Sequence, residues 1–199
     1  MNSLSSTPTQ FEEILASLEV DSSECYRQII DLSITRLQRL THSILINYPN
    51  LQEWDETPVV FQAAVIQLYG KLKKVKAKSA REMFVASTSQ LRKTLIEMVR
   101  DSFGPQDEIE NLNNPRASHG HGAEPVSLDE WIGFHEEIEK LPDEEKEVFS
   151  LIWYAAAKHD EAATLIGEPE ETVYRRFYLA RLRLADSITK NKSITKNKS

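Results

Sequence analysis

The feature that most limits the fold is a repeated apolar spacing of three and four. Phe61, Val65, Leu68, Leu72 and Val75 follow it without a break, and Phe84, Thr88, Leu91, Leu95 and Met98 repeat it. At 3.6 residues per turn these positions stack into one stripe along a helix, whereas a half-buried strand needs alternation by two. The same period runs through Ile30, Ile34, Leu37, Leu40 and Ile44. Three such stripes can be buried against one another, which predicts a helical bundle. Only six glycines and few alternating Val/Thr-rich runs argue against sheet.

Punctuation between the stripes fits this reading. The first long helix starts near Ser22, after a short helix over Phe11–Leu18, and the run Asn47-Tyr48-Pro49-Asn50 ends it. Thr57 and Pro58 suit the N-cap and first position of the second helix. Ser79 and Glu82 have the spacing of a capping box for the third, and Gly104-Pro105 stops it. Residues 105–126 mix Pro, Gly, Asn and acid without a period, which predicts a flexible acidic linker.

Periodic sequence then resumes. Ser127 and Glu130 form a second capping-box spacing, followed by Trp131, Phe134, Ile138 and Leu141 on one face up to Pro142. A helix is predicted over Glu144–Ala157, with Val148, Leu151, Ile152 and Ala155 inward. Asp160 can cap a short helix over Glu161–Ile166, Gly167 supplies a turn, and a long helix reaches about Ser187. Short helix, glycine turn and long helix is a helix-turn-helix pattern. With Val173, Phe177, Ala180 and Leu184 inward, Glu170, Glu171, Tyr174, Arg175, Tyr178 and Arg181 face outward. The predicted class is all-α: two small helical domains at 21–104 and 127–187 joined by the 105–126 linker. An N-terminal extension over 1–20 precedes them, with 1–10 expected to be disordered ahead of the short helix, and a disordered basic 188–199 tail, one six-residue unit written twice, follows them.

The formal net charge is −7, yet it is unevenly spread. It is −6 over 1–70, +6 over 71–104, −10 over 105–147, −3 over 148–170 and +6 over 171–199. Phosphate attraction depends on local clusters, so an acidic chain with two basic blocks can still bind nucleic acid. No apolar run approaches the ~18 residues of a membrane span, and the start of the chain lacks a signal-peptide pattern. The single Cys25 rules out an internal disulfide and suits a cytoplasmic location. His119 and His121 sit in the linker without further ligands, so neither a metal nor another cofactor is expected. The His residues are scattered and no Gly-rich phosphate loop is present, so no catalytic constellation and no enzyme activity are expected.

The run from Leu141 to Asp186 resembles region 4 of the sigma-70 family of bacterial RNA polymerase sigma factors. The likeness lies in Leu141-Pro142, "EVFSL", "HDEAATLIG", "ETVYRRF" and "ARLRLAD". The first bundle resembles region 2 at "RLQRLTHSIL", at Trp54-Asp55-Glu56-Thr57 and at "LRKTLIEMVRDSFG". The two-domain size is similar to the extracytoplasmic-function (ECF) subgroup. This resemblance implies binding to core RNA polymerase, recognition of promoter DNA and initiation of transcription, and it admits an anti-sigma factor as a further partner. It implies −10 element contacts by Arg92, Lys93 and Arg100, read here as outward, with Arg81 adding a phosphate contact. It implies −35 contacts by Glu170, Glu171, Tyr174, Arg175, Arg176, Tyr178 and Arg181, and polymerase contacts by Asp55, Glu56, Val59 and Gln62. Phe84 and Phe103 are read as core or end-cap residues before any role in stacking a base. The chain departs from the family where Pro58, Val59 and Ala63 replace acids, at Lys158, which replaces a hydroxyl cap, and at Tyr174, which replaces a basic residue. Two other readings stay open: a sigma-like interaction protein that reads no promoter, and a free-standing helix-turn-helix regulator.

Overall fold

The computed structural model of the chain describes residues 13–14, 22–47, 57–103 and 128–196, with side chains over 13–14, 23–44, 59–101 and 130–187. The described residues form helices α1 (Ser22–Asn47), α2 (Thr57–Leu72), α3 (Ala80–Phe103), α4 (Leu128–Glu137), a 3₁₀ turn (Ile138–Lys140), α5 (Asp143–Trp153), α6 (His159–Ile166) and α7 (Glu170–Lys196). Among them there is no strand, so the all-α class holds. The linker, Asp55, Glu56, His119 and His121 lie outside the described residues. Of the short helix expected over 11–18, residues 13 and 14 are described. Both are helical and Ile14 is buried.

The α3 stripe is as the spacing predicts: Phe84, Thr88, Leu91, Leu95 and Met98 are all buried. The hydroxyls in it are satisfied, because Ser87 Oγ and Thr88 Oγ1 donate to the Phe84 carbonyl at 2.9 and 3.0 Å. Burial extends beyond the stripe, to Met83, Arg92, Ile96 and Val99. The cause is position. α3 packs on α1 and α2 on one side and on α4, α5 and α6 on the other, and one apolar core runs through all of them. Phe84→Ala is therefore the single change expected to loosen the fold most, by ~3–5 kcal/mol.

In the first half of α1 the inward face is turned by one residue from the expected one: Cys25, Ile29 and Leu32 are buried, while Ile30 and Ile34 are half-buried. From Leu37 on the expected face holds, with Leu37 and Ile44 buried and Leu40 half-buried. Ser33 reaches the core as well, since its Oγ donates to the Ile29 carbonyl at 2.8 Å and leaves no unpaired donor. At the start of α3, Ser79 Oγ accepts from the Glu82 amide at 3.1 Å, as a cap does. The Glu82 carboxylate takes the Lys78 amide at 2.7 Å, one residue upstream of the capping-box partner.

Helix ends account for the remaining differences. α5 stops at Trp153, four residues before the predicted end. Ala156 there adopts a left-handed φ of 58°, a conformation that no glycine in the sequence announces. α6 begins at His159, not Glu161. Its start is satisfied by Glu161, whose buried carboxylate accepts from the Lys158 amide at 2.7 Å, rather than by Asp160 alone. α7 continues to Lys196, so most of the tail expected to be disordered is helical. Neither Gly nor Pro interrupts 188–196, and extending an existing helix needs no new nucleus.

Candidate nucleic-acid and polymerase interfaces

Two helix ends meet at Gly167. Its φ of 78° and ψ of 33° place it in the left-handed region, and its amide closes α6 on the Ala163 carbonyl at 2.9 Å. Pro169, which has no amide hydrogen to satisfy, starts α7 by accepting from Val173 at 3.2 Å. Val173, Ala180 and Leu184 seat α7 against the core, with Phe177 half-buried and stacked on Phe149 at 5.7 Å between ring centroids. The opposite face is as predicted: Glu170, Glu171, Tyr174, Arg175, Tyr178 and Arg181 are all exposed. Tyr174 and Tyr178 present large rings to solvent at 61% and 53% exposure. Arg176 differs from this set. It is half-buried and pairs with Glu144 at 2.8 Å and Glu168 at 3.5 Å, so it braces the turn. Glu170 and Glu171 lie in the first turn of α7, where free amides and the helix dipole stabilise carboxylates by ~0.3–1 kcal/mol each.

The basic residues of α3 are arranged differently from the sequence expectation. Lys93 and Arg100 are exposed, but Arg92 is buried, with 3% of its surface accessible. It pairs with Glu139, and its guanidinium lies 5.8 Å from the centroid of the Tyr154 ring. Burial lowers its pKa, against the opposing effect of Tyr154. Arg81 makes a two-pronged pair with Glu147 at 2.6 and 2.7 Å and also donates to the Ile166 carbonyl at 3.1 Å. Arg100 pairs with Glu136. Arg36, on α1, donates to the carbonyls of Tyr154 and Trp153 at 2.8 and 2.6 Å, and burial lowers its pKa too. Two arginines thus satisfy carbonyls left free at the ends of α5 and α6, where cations also complement the helix dipole. Behind Arg92 lies a buried aromatic group in which His135 Nδ1 meets the Tyr154 hydroxyl, with Trp131 and Trp153 rings 3.9 and 4.9 Å from the imidazole.

On α2, Val59 and Gln62 are exposed, as a docking face requires. Ile66 and Tyr69 extend that face, at 67% and 44% exposure. The four sit at intervals of three and four, opposite the buried Ala64, Leu68 and Leu72.

A family described as ECF sigma factor matches residues 8–190 of the chain. The chain belongs to that family. Its members are non-enzymatic transcription initiation factors that bind DNA, so this ECF sigma factor is one by descent. No curated protein and no solved structure matches the chain. Among the described residues no cluster of three or more His, Cys, Asp or Glu is built to hold a metal, and no helix is long and apolar enough to cross a membrane.

Two parts of this ECF sigma factor escaped sequence reasoning. Ile66 and Tyr69 fall between the stripe positions Val65, Leu68 and Leu72, and that off-stripe placement was the available signal. Arg36 lies between Ile34 and Leu37 in the first stripe, and no local pattern announces that it caps a helix about 118 residues away.

Proposed function

We propose that the chain is the promoter-specificity subunit of an RNA polymerase holoenzyme. In this reading residues 21–104 act as region 2, gripping core polymerase through α2 and opening the −10 element along α3. Residues 127–187 act as region 4 and read the −35 element with α7. The observation that carries it is the α7 face: six polar and aromatic side chains stand exposed immediately after a left-handed glycine turn. Such a helix fits the major groove, where a carboxylate accepts from a cytosine amino group and an arginine pairs with guanine or phosphate. Acid at the tip weakens non-specific attraction, and tethering to polymerase restores the effective concentration.

Polymerase docking through α2 follows the same logic. Where the family carries acids this chain has Pro58, Val59 and Ala63 around Gln62, and the exposed Ile66 and Tyr69 continue the same helix, so the docking contact has a larger apolar part. Asp55 and Glu56 precede it in sequence and supply the acidic part. The partners are core polymerase, promoter DNA and an anti-sigma factor, which places the protein in the cytoplasm.

A second reading, a sigma-like chain that binds polymerase without reading a promoter, is favoured by one observation. Arg81, Arg92 and Arg100 are already paired within the chain. Transcription from a promoter library with purified core polymerase separates the two. Discrete start sites that depend on the chain support the first reading, and co-elution with core without transcripts supports the second.

A further inference from the structure

We propose that α7 is a self-complementary helix through which two copies of the chain pair antiparallel, centred between Ala180 and Arg181. Arg175 of each copy then meets Asp186 of the other, and Leu179 meets Leu182.

The water-facing stripe of α7 fits a second copy of itself. Arg175, Leu179, Leu182 and Asp186 are all exposed and follow at intervals of four, three and four, so they share one side of the helix, with Tyr178 beside them. Val173, Ala180 and Leu184 hold the other side, where α7 packs on α4, α5 and α6. Two bodies joined by their outer stripes therefore lie on the outer sides of the helix pair. Two leucines held in water in mid-helix mark a contact with protein, since phosphates and base edges offer them little apolar surface.

The charges name the occupant. α7 opens with Glu170 and Glu171, and its last turns contain Lys190, Lys192 and Lys196. In the antiparallel register Glu171 stands level with Lys190 of the other copy, as Arg175 does with Asp186. A two-fold axis makes each pairing twice, around a centre formed by Leu179 and Leu182 of both copies. A parallel pair would set acid against acid and lysine against lysine, so charge selects the antiparallel one. The ion pairs of α7 within the chain use Arg176 and Arg183, and among the described residues none uses Glu171, Arg175 or Asp186. The helix dipole accounts for acid at the front of α7 but not for the exposed leucines behind it. The paired stretch is about 30 Å long at ~1.5 Å per residue. One helix pair of that length falls short of the ~1,600 Å² of a standard interface, so a dissociation constant of about 10 µM is expected. Since Arg175 and Tyr178 lie in the pair, a second copy and duplex DNA compete for the same side of α7.

Sedimentation velocity of the full chain near 0.1 M salt should show monomers at about 1 µM and mostly dimers at about 100 µM. Arg175→Asp and Asp186→Arg each set like charges together and should weaken pairing about tenfold or more, and the two combined should recover it to within about threefold. Leu182→Glu should abolish the dimer, whereas Ile66→Asp, on the exposed face of α2, should leave it unchanged. A chain still monomeric at about 100 µM overturns the proposal. So does a combined variant that pairs no better than its parents, or a dimer that survives Leu182→Glu. If a substituted chain does not fold, the wild type carries the test through salt. Between about 0.1 and 0.5 M the dimer should weaken about fivefold as its exposed ion pairs are screened, and an unchanged or tighter dimer overturns the proposal. A monomeric chain can still direct transcription, and a dimeric one can fail to, so the pairing and the initiation reading are lost separately.

Discussion

His135 is held neutral by its surroundings. Burial, with the Arg92 charge adding to it, pushes its pKa down to about 3. Burial pushes the Tyr154 phenol up, so it stays protonated beside the His135 Nδ1 that its hydroxyl meets. In the unfolded chain the imidazole titrates near ~6.5. Between these values the unfolded state binds the extra proton, so the contribution is intact above about pH 6.5 and is lost as pH falls toward 3. Urea denaturation at pH 7 and pH 5 should show the wild type losing about 2 kcal/mol more than His135→Gln over that interval. Equal losses would remove His135 as the cause. On α7, Arg175→Ala should weaken −35 recognition by ~1–3 kcal/mol if the side chain pairs with a base, and the loss should then depend on sequence. A sequence-independent loss assigns Arg175 to phosphate. Val173→Asp puts an unpaired charge at a fully buried site and should unfold the C-terminal helices, read by circular dichroism. At this scale the sequence identified which residues of α7 face out, because a long helix with a clear inward stripe fixes its opposite face. It did not identify Arg92 as buried, because a second packing partner covers the side of α3 that the stripe leaves free.

Helix ends decide how the elements are aimed. Gly167 has open space where a Cβ would stand, so Gly167→Ala tests backbone strain alone. A left-handed φ costs an L-residue about 1 kcal/mol, and thermal unfolding should show a loss of that size. On α2, Ile66→Asp replaces a side chain that is two-thirds exposed. Stability should change by less than about 0.5 kcal/mol, while affinity for core polymerase should fall about tenfold or more, measured by co-elution. A loss of stability without a loss of binding would move the docking face elsewhere. The elements themselves were legible from the 3.6-residue period and from Ser79, Gly167 and Pro142. Their ends were less so. Ala156 turns left-handed without glycine, Glu161 satisfies a helix start through its side chain, and α7 runs on through a polar repeat that lacks a breaker.

For the whole molecule the sequence predicted two helical units in order, and the helices of both are present. It did not predict that α3 packs against α4, α5 and α6, because contacts across a linker leave no periodic mark on either side. That packing ties the arginines of the first helices to the acids of the later ones. The central claim is that this chain directs polymerase to promoters. Its most direct test is transcription by purified core polymerase on a promoter library, with and without the chain. Discrete start sites should appear only with the chain and vanish when Arg175 and Glu171 are both replaced by Ala. Transcripts that ignore those substitutions, or no chain-dependent transcripts at all, would contradict it.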